Sequence, residues 1–62
     1  MNETQIKCPC CGETTVGEFD ICSVCGWEND FVQLHKPDYT GGANKMSLNQ
    51  AREAYKQNKP IK

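Results

Sequence analysis

The sequence predicts a small metal-stabilised α+β protein in which two cysteine-bearing turns lie on short antiparallel strands and one C-terminal helix packs on them. Three observations support this prediction. The chain has only 62 residues, so a hydrophobic core alone gives marginal stability. Two Cys-x-x-Cys pairs, each followed by glycine, lie at 8–12 and 22–26. A helix-capping signal begins at Ser47 and precedes good helix formers. We expect a single domain over residues 1–62.

The N-terminal half predicts short strands. Its runs rich in Thr, Val, Ile and Phe are separated by glycines, which is typical of strands joined by tight turns. We therefore place the two cysteine pairs at the tips of hairpin turns, with residues 12–16 and 19–22 as antiparallel strands between them. This is the layout of a zinc ribbon, which we assign to residues 4–27.

Cys8, Cys11, Cys22 and Cys25 are predicted to bind one zinc ion. Two residues between thiolates let a tight turn present both sulfur atoms to one metal, and the glycine after each pair permits a positive φ. Ten residues separate the two pairs, which is enough for a short hairpin. Four thiolates leave no coordination position for substrate, so we expect a structural metal and no enzyme activity. Iron in the same tetrahedral site, giving a rubredoxin-like electron carrier, is an alternative.

Cys10 is the fifth thiol, and it lies between two predicted ligands. We expect its side chain to point away from the metal and interpret it as a tolerated small residue. The alternative is a thiol-based redox protein that senses oxidants through Cys10, which requires a depressed pKa of this thiol.

The cysteines also suggest the compartment. An odd number of five cysteines fits a four-ligand metal site better than a disulfide framework. The N-terminal residues lack the apolar stretch of a secretory signal, and no segment has the length of a membrane span. We therefore expect a cytoplasmic protein with reduced thiols.

The C-terminal third predicts the one helix. Residues 28–46 contain a proline and a Gly-Gly pair and are interpreted as an ordered connection that wraps the ribbon. Ser47 and Gln50 have the spacing of a capping box, so the helix is placed at 47–58. Its apolar residues recur at steps of three and four, which predicts one face packed inward on the ribbon: Leu48, Ala51 and Tyr55.

Several residues at or after the second cysteine pair allow a structural and a functional interpretation. Trp27 is expected to cover the metal site or the helix, with stacking on a ligand as the alternative. Glu28, Asn29 and Asp30 are interpreted as a solvated acidic patch on which a basic side chain of a partner can dock. His35 is expected to be exposed or hydrogen-bonded and not to bind metal.

The charge distribution limits the function classes. The net charge is -1, which gives no overall attraction to nucleic acid. Residues 1–40 nevertheless carry two positive and seven negative side chains, and residues 41–62 carry five positive and one negative. We therefore expect a non-enzymatic module that binds another protein through the acidic ribbon, Trp27 and the segment 27–39. The alternative is a zinc ribbon that binds nucleic acid with its basic C-terminal helix.

Three stretches carry a resemblance to a known family: the CPCC run at 8–11, ICSVCGWE at 21–28, and the Gly-Gly, Asn and Ser-Leu string at 41–48. In these the chain resembles the cysteine-rich CPCC family of small, mostly bacterial proteins. The resemblance implies a zinc-ribbon-like metal protein and supports the four-cysteine site. It does not imply a particular activity.

Overall fold

The computed structural model describes residues 5–61. It contains two strands and two helices in the order β1 (Ile6–Lys7), β2 (Thr15–Val16), α1 (Phe31–His35) and α2 (Leu48–Lys56). The predictions for residues 1–4 and 62, including the start of the ribbon at residue 4, lie outside the described residues. The protein is thus a small α+β structure with a two-stranded antiparallel sheet, two helices and clustered cysteines.

The strands flank the first cysteine pair. Strands β1 and β2 are antiparallel, with Ile6 opposite Val16 and Lys7 opposite Thr15. A single further bridge joins Ile21 to Glu28 on either side of the second cysteine pair. Each cysteine turn is therefore closed by the two segments that enter and leave it.

The predicted pairing of residues 12–16 with 19–22 is wrong. The glycine after each cysteine pair adopts a left-handed φ of 70° at Gly12 and 87° at Gly26, which turns the chain back along the segment that entered the turn. The Cys8 amide then donates a 2.8 Å hydrogen bond to the Thr14 carbonyl across the base of the first turn. Residues 15–16 pair with 6–7 for this reason.

The connection between the ribbon and the C-terminal helix contains a helix that the sequence analysis did not predict. Helix α1 has five residues and begins after Asp30, whose Oδ1 accepts a 2.9 Å hydrogen bond from the Val32 amide. One helical turn is too short to produce a recognisable apolar period. Neither helix within residues 5–61 has the length and apolar character needed to cross a membrane.

The predicted C-terminal helix is present as α2. Ser47 Oγ accepts a 3.1 Å hydrogen bond from the Gln50 amide, and Gln50 Oε1 accepts a 2.9 Å bond from the Ser47 amide. This is the predicted capping box. The helix ends at Lys56, earlier than expected, because Asn58 adopts a left-handed φ of 57° and the Lys59 amide bonds back to the Ala54 carbonyl at 2.8 Å.

The core is small and lies between α2 and the cysteine turns. Its members are at most 3% exposed and belong to one cluster: Cys8, Val16, Cys22, Trp27, Leu48 and Ala51. Leu48 and Ala51 are two of the three residues predicted for the inner face of the helix, and Tyr55 is half-buried. Two cysteines therefore make up a third of this core.

Buried amide side chains hold the loop before α2. Gln33 is fully buried, and its Nε2 lies 3.0 to 3.1 Å from the carbonyl oxygens of Tyr39, Asn44 and Met46. Its Oε1 accepts from the backbone amide and from Nδ2 of Asn44, at 3.1 and 2.9 Å. A buried amide that satisfies this many partners fixes the loop in one conformation.

Asn44 connects the same loop to the second cysteine turn. Its Oδ1 accepts a 3.0 Å hydrogen bond from the Glu28 amide, and its Nδ2 donates a 2.8 Å bond to the Glu28 carbonyl. The loop, α1 and the segment after Cys25 are therefore joined through two buried carboxamides.

Candidate metal centre

The two cysteine turns have the same backbone hydrogen bonds. The Gly12 amide donates to the Cys8 carbonyl at 2.8 Å, and the Gly26 amide donates to the Cys22 carbonyl at 2.9 Å. Both glycines have the positive φ that the sequence analysis expected. Any residue other than glycine or asparagine is disfavoured there. The two cysteine turns thus share one conformation, and each of them directs two sulfur atoms at the same point.

The four predicted ligands lie together. The Sγ atoms of Cys8, Cys11, Cys22 and Cys25 are all within 4.8 Å of one another. Two of the separations join the two turns, at 3.6 Å between Cys8 and Cys25 and 3.7 Å between Cys11 and Cys22. A tetrahedral site with zinc–sulfur distances of about 2.3 Å has sulfur–sulfur edges of about 3.8 Å. The thiols are free, and their arrangement fits a four-coordinate metal ion.

Backbone amides point at the sulfur atoms. The Glu13 amide lies 3.5 Å from Cys11 Sγ, and the amides of Val24 and Cys25 lie 3.4 and 3.5 Å from Cys22 Sγ. Such bonds favour the ionised form of the acceptor. Burial raises the pKa of Cys22, but the amides of Cys25 and Val24 outweigh it and lower that pKa to about 7. Cys22 is therefore predisposed to the thiolate form that binds metals.

Other thiols of the group resist ionisation without a cation. Burial raises the pKa of Cys25, and the adjacent Cys8 and Cys22 side chains raise it further. Burial also raises the pKa of Cys11. Thiolates this close repel one another, so a divalent cation is needed for all four to ionise together. The donor set and its electrostatics both fit a soft or borderline divalent metal.

The site is largely enclosed by the core. Cys8 and Cys22 are 3% and 2% exposed, whereas Cys11 and Cys25 are half-buried. Trp27 is fully buried in the same cluster as Cys8, Cys22 and the helix residue Leu48, in agreement with the expectation that it covers the metal site or the helix. Its predicted part in a contact surface, and the alternative of stacking on a ligand, are wrong because the ring has no exposed area.

The predicted solvated patch at residues 28–30 is also wrong in part. Asn29 is fully buried and Asp30 is 6% exposed. Asp30 uses both carboxylate oxygens internally, since Oδ1 caps α1 and Oδ2 accepts a 3.0 Å hydrogen bond from the Ala43 amide. Only Glu28 of the three keeps a partly exposed side chain. Asn29 and Asp30 are polar because their side chains bind backbone groups, not because they face water.

Cys10 lies outside the group of four, as predicted, but is half-buried beside it. Burial raises the pKa of the Cys10 thiol to about 11, and the nearby Cys25 side chain offsets only part of this increase. The thiol is therefore protonated at neutral pH. This is the opposite of the depressed pKa that the redox-sensing alternative requires.

His35 is exposed on α1, and its Nδ1 lies 2.8 Å from the Phe31 carbonyl oxygen. The expectation of an exposed or hydrogen-bonded histidine is confirmed. The cluster of possible ligands found within residues 5–61 consists of cysteines alone.

Sequence analysis missed one residue of the site region. Arg52 of α2 donates a 2.7 Å hydrogen bond from Nε to the carbonyl oxygen of Pro9, inside the first cysteine turn. In the sequence Arg52 is one of several basic residues of a helix that looks solvated. No local pattern connects it with a proline 43 positions earlier, so only the tertiary structure assigns this contact.

The chain matches the model of a known protein family. The family model described as Cysteine-rich CPCC matches residues 6–58, which include both cysteine turns and the whole of α2. This confirms the resemblance found in the sequence. No curated protein matches the chain.

Proposed function

The chain belongs to the cysteine-rich CPCC family, and we propose that it is a non-enzymatic zinc-binding module that binds another protein. The observation that carries the metal assignment is the approach of four Sγ atoms to within 4.8 Å of one another. The ligands in this proposal are Cys8, Cys11, Cys22 and Cys25. The two turns then form a site of the zinc-ribbon type, in the reduced cytoplasm.

Zinc is preferred to iron as the occupant. Both ions accept tetrahedral thiolate ligands, but zinc stands above ferrous iron in the general order of affinities and has no geometric preference of its own. Native mass spectrometry before and after chelation tests this assignment. We expect one zinc per chain, and a red protein that contains iron would contradict it.

The proposed role of the zinc is to stabilise the fold. A site with four thiolates has no open position for water or substrate, which is why we propose no enzyme activity. Structural zinc contributes roughly 10–16 kcal/mol to such small domains, more than the whole stability of many proteins. The core of six residues is too small to replace it.

The proposal of a protein partner rests on the surface. Three large apolar side chains of the ribbon are 51% to 67% exposed: Phe19, Ile21 and Val24. Residues 1–40, which contain all three, have five more negative than positive side chains. Apolar groups among charges of one sign support a protein-binding surface. Steeply salt-dependent binding to oligonucleotides would instead favour the nucleic-acid alternative.

A further inference from the structure

Phe19 occupies a position that is unfavourable for phenylalanine in two respects. Its backbone is left-handed, with a φ of 60°, a conformation in which the Cβ of an ordinary residue lies too close to the following carbonyl oxygen. Its side chain is 52% exposed, so the ring gives little hydrophobic stabilisation in return. Glycine or asparagine would adopt this backbone with less strain. Exposed residues that strain the fold without a packing gain are concentrated at functional sites.

The turn that carries Phe19 is held on several sides. The Gly17 amide donates to Asp20 Oδ2 at 2.9 Å, and the Asp20 amide donates back to the Gly17 carbonyl at 3.2 Å. The Phe19 amide donates to the Asn29 carbonyl at 2.8 Å, and the buried Asn29 side chain donates to the Gly17 carbonyl at 2.9 Å. The exposed ring is thus presented on a preorganised loop, which lowers the entropy cost of binding.

The neighbours of Phe19 are apolar and acidic. Ile21, two residues further on, is the most exposed of the large apolar side chains at 67%. It stands directly opposite Glu28 across the antiparallel bridge, so the two side chains lie on the same face. Glu18 and Asp20 flank the ring in sequence and are both exposed. The segment with these two exposed apolar side chains thus has two carboxylates next to Phe19 in sequence and a third across the bridge from Ile21.

We propose that this region, the Phe19 surface (residues 18–21 with Glu28), binds a basic segment of another protein. The segment would place an apolar side chain against Phe19 and Ile21, and lysine or arginine side chains toward the carboxylates. The excess of five negative charges over residues 1–40 attracts such a segment, and a four-thiolate zinc site adds about two more. A guanidinium can also stack on the aromatic ring.

This inference rests on the proposed protein-binding function and identifies its surface. It differs from the contact region predicted from sequence, because the anchor is Phe19 and not the buried Trp27. The test uses the zinc-loaded chain and a displayed library of random peptides as the probe. Peptides enriched on the unchanged protein are then measured against two variants, Phe19→Asn and Val32→Asn.

The two variants are matched. Val32 is an equally exposed apolar residue, at 53% against 52% for Phe19, and it lies on α1 outside the Phe19 surface. Asparagine tolerates the left-handed backbone at position 19, so we expect Phe19→Asn to bind one zinc and to unfold at the same denaturant concentration or a higher one. A clear loss of stability in this variant would show that Phe19 is a packing residue and would overturn the inference.

We expect enriched peptides to combine apolar residues with lysine or arginine. They should bind Val32→Asn as tightly as the unchanged protein and Phe19→Asn at least tenfold more weakly, with affinity falling as salt rises. Peptides that bind Phe19→Asn undiminished would overturn the Phe19 surface and leave the proposed protein-binding function standing. If no peptide is enriched, both fail. Self-association that Phe19→Asn abolishes would reassign the surface to contact between copies.

Discussion

Arg52 and Pro9 are 43 positions apart in the sequence, and the Nε of Arg52 donates a 2.7 Å hydrogen bond to the Pro9 carbonyl oxygen. Pro9 lies between Cys8 and Cys10, so this bond fastens α2 to the first cysteine turn. Leu48 and Ala51 of the same helix pack in the cluster that contains Cys8 and Cys22. The helix therefore contacts the candidate metal centre through both its apolar face and one charged side chain.

The Arg52 bond should slow the release of zinc. We expect Arg52→Met to lower the free energy of unfolding by about 1 kcal/mol, because a charge-assisted bond at an exposed side chain is lost. Transfer of zinc to a chromophoric chelator should become faster. Lys56→Met, one helical turn further on, is the control and should change neither quantity. Equal behaviour of the two variants would mean that the bond to Pro9 contributes nothing.

Removal of a ligand should abolish the folded state, whereas removal of the fifth thiol should not. We expect Cys22→Ser to lose stoichiometric zinc and native circular dichroism, because the metal supplies most of the stability of so small a core. Cys10→Ser should bind one zinc and remain folded. Native mass spectrometry and circular dichroism give both answers. An ordered, metal-free Cys22→Ser protein would refute the structural role of the metal.

Zinc affinity should depend strongly on pH. The pKa of Cys22 is lowered to about 7 in the folded chain, below the ordinary thiol range near 8.5, and bound zinc lowers thiol pKa values further. A group whose pKa is lowered by folding adds stability above its unfolded pKa, and this stability is lost as the pH falls through the folded value. Because bound zinc holds the thiol pKa values below that of Cys22 in the metal-free chain, zinc binding should weaken below pH 7, and zinc should be released with reversible unfolding as the pH falls further.

Chelator competition at several pH values measures this dependence. Because up to four protons compete with one metal ion, the logarithm of the affinity should rise by more than one unit per pH unit in the acidic range. An affinity that does not change with pH would exclude a site made of four thiolates.

The buried carboxamide of Gln33 should contribute more to the stability of the fold than the carboxamide of an exposed glutamine does. We expect Gln33→Leu to lower the free energy of unfolding by about 3 kcal/mol, because the carbonyls of Tyr39, Asn44 and Met46 lose a shared donor in the interior. Gln57→Leu is the control, since the Gln57 side chain is exposed and its Nε2 donates to the exposed Glu53 Oε2, at 3.2 Å. Denaturant unfolding of the zinc-loaded proteins measures both. Similar losses in the two variants would contradict the role of the buried network.

The features that could be predicted from the sequence are those encoded over a few residues. The Cys-x-x-Cys-Gly turns and the capping box at Ser47 each need only a stretch of five or fewer residues, and the structure contains all of them. The convergence of the two turns followed from the chemistry of thiolates with metals. The cluster of four cysteines was therefore predictable, although their spacing alone does not identify the ion.

The predictions that are wrong concern features that depend on tertiary contacts, which the composition of a segment does not reveal. The sequence predicts that residues 15–16 pair with the segment that follows them, but they pair with residues 6–7, which precede them. Short apolar runs do not specify which neighbouring segment they pair with. Asp30 is predicted to be solvated, and Trp27 is predicted to take part in a contact surface as well as to cover the metal site or the helix, but both residues are buried. For Asp30 the reason is physical: acidic residues are usually exposed, but this one is buried because it accepts hydrogen bonds from two backbone amides.

The side chain of Asn44 forms the hydrogen bonds to Glu28 that the backbone of a third strand would form. The carboxamide offers one acceptor and one donor to the Glu28 backbone, in the same pattern that a neighbouring strand would offer. A segment with a free edge is a template on which strands of other molecules can add and aggregate. Because the Asn44 side chain already binds the amide and the carbonyl of Glu28, these two groups are not available to a strand of another molecule.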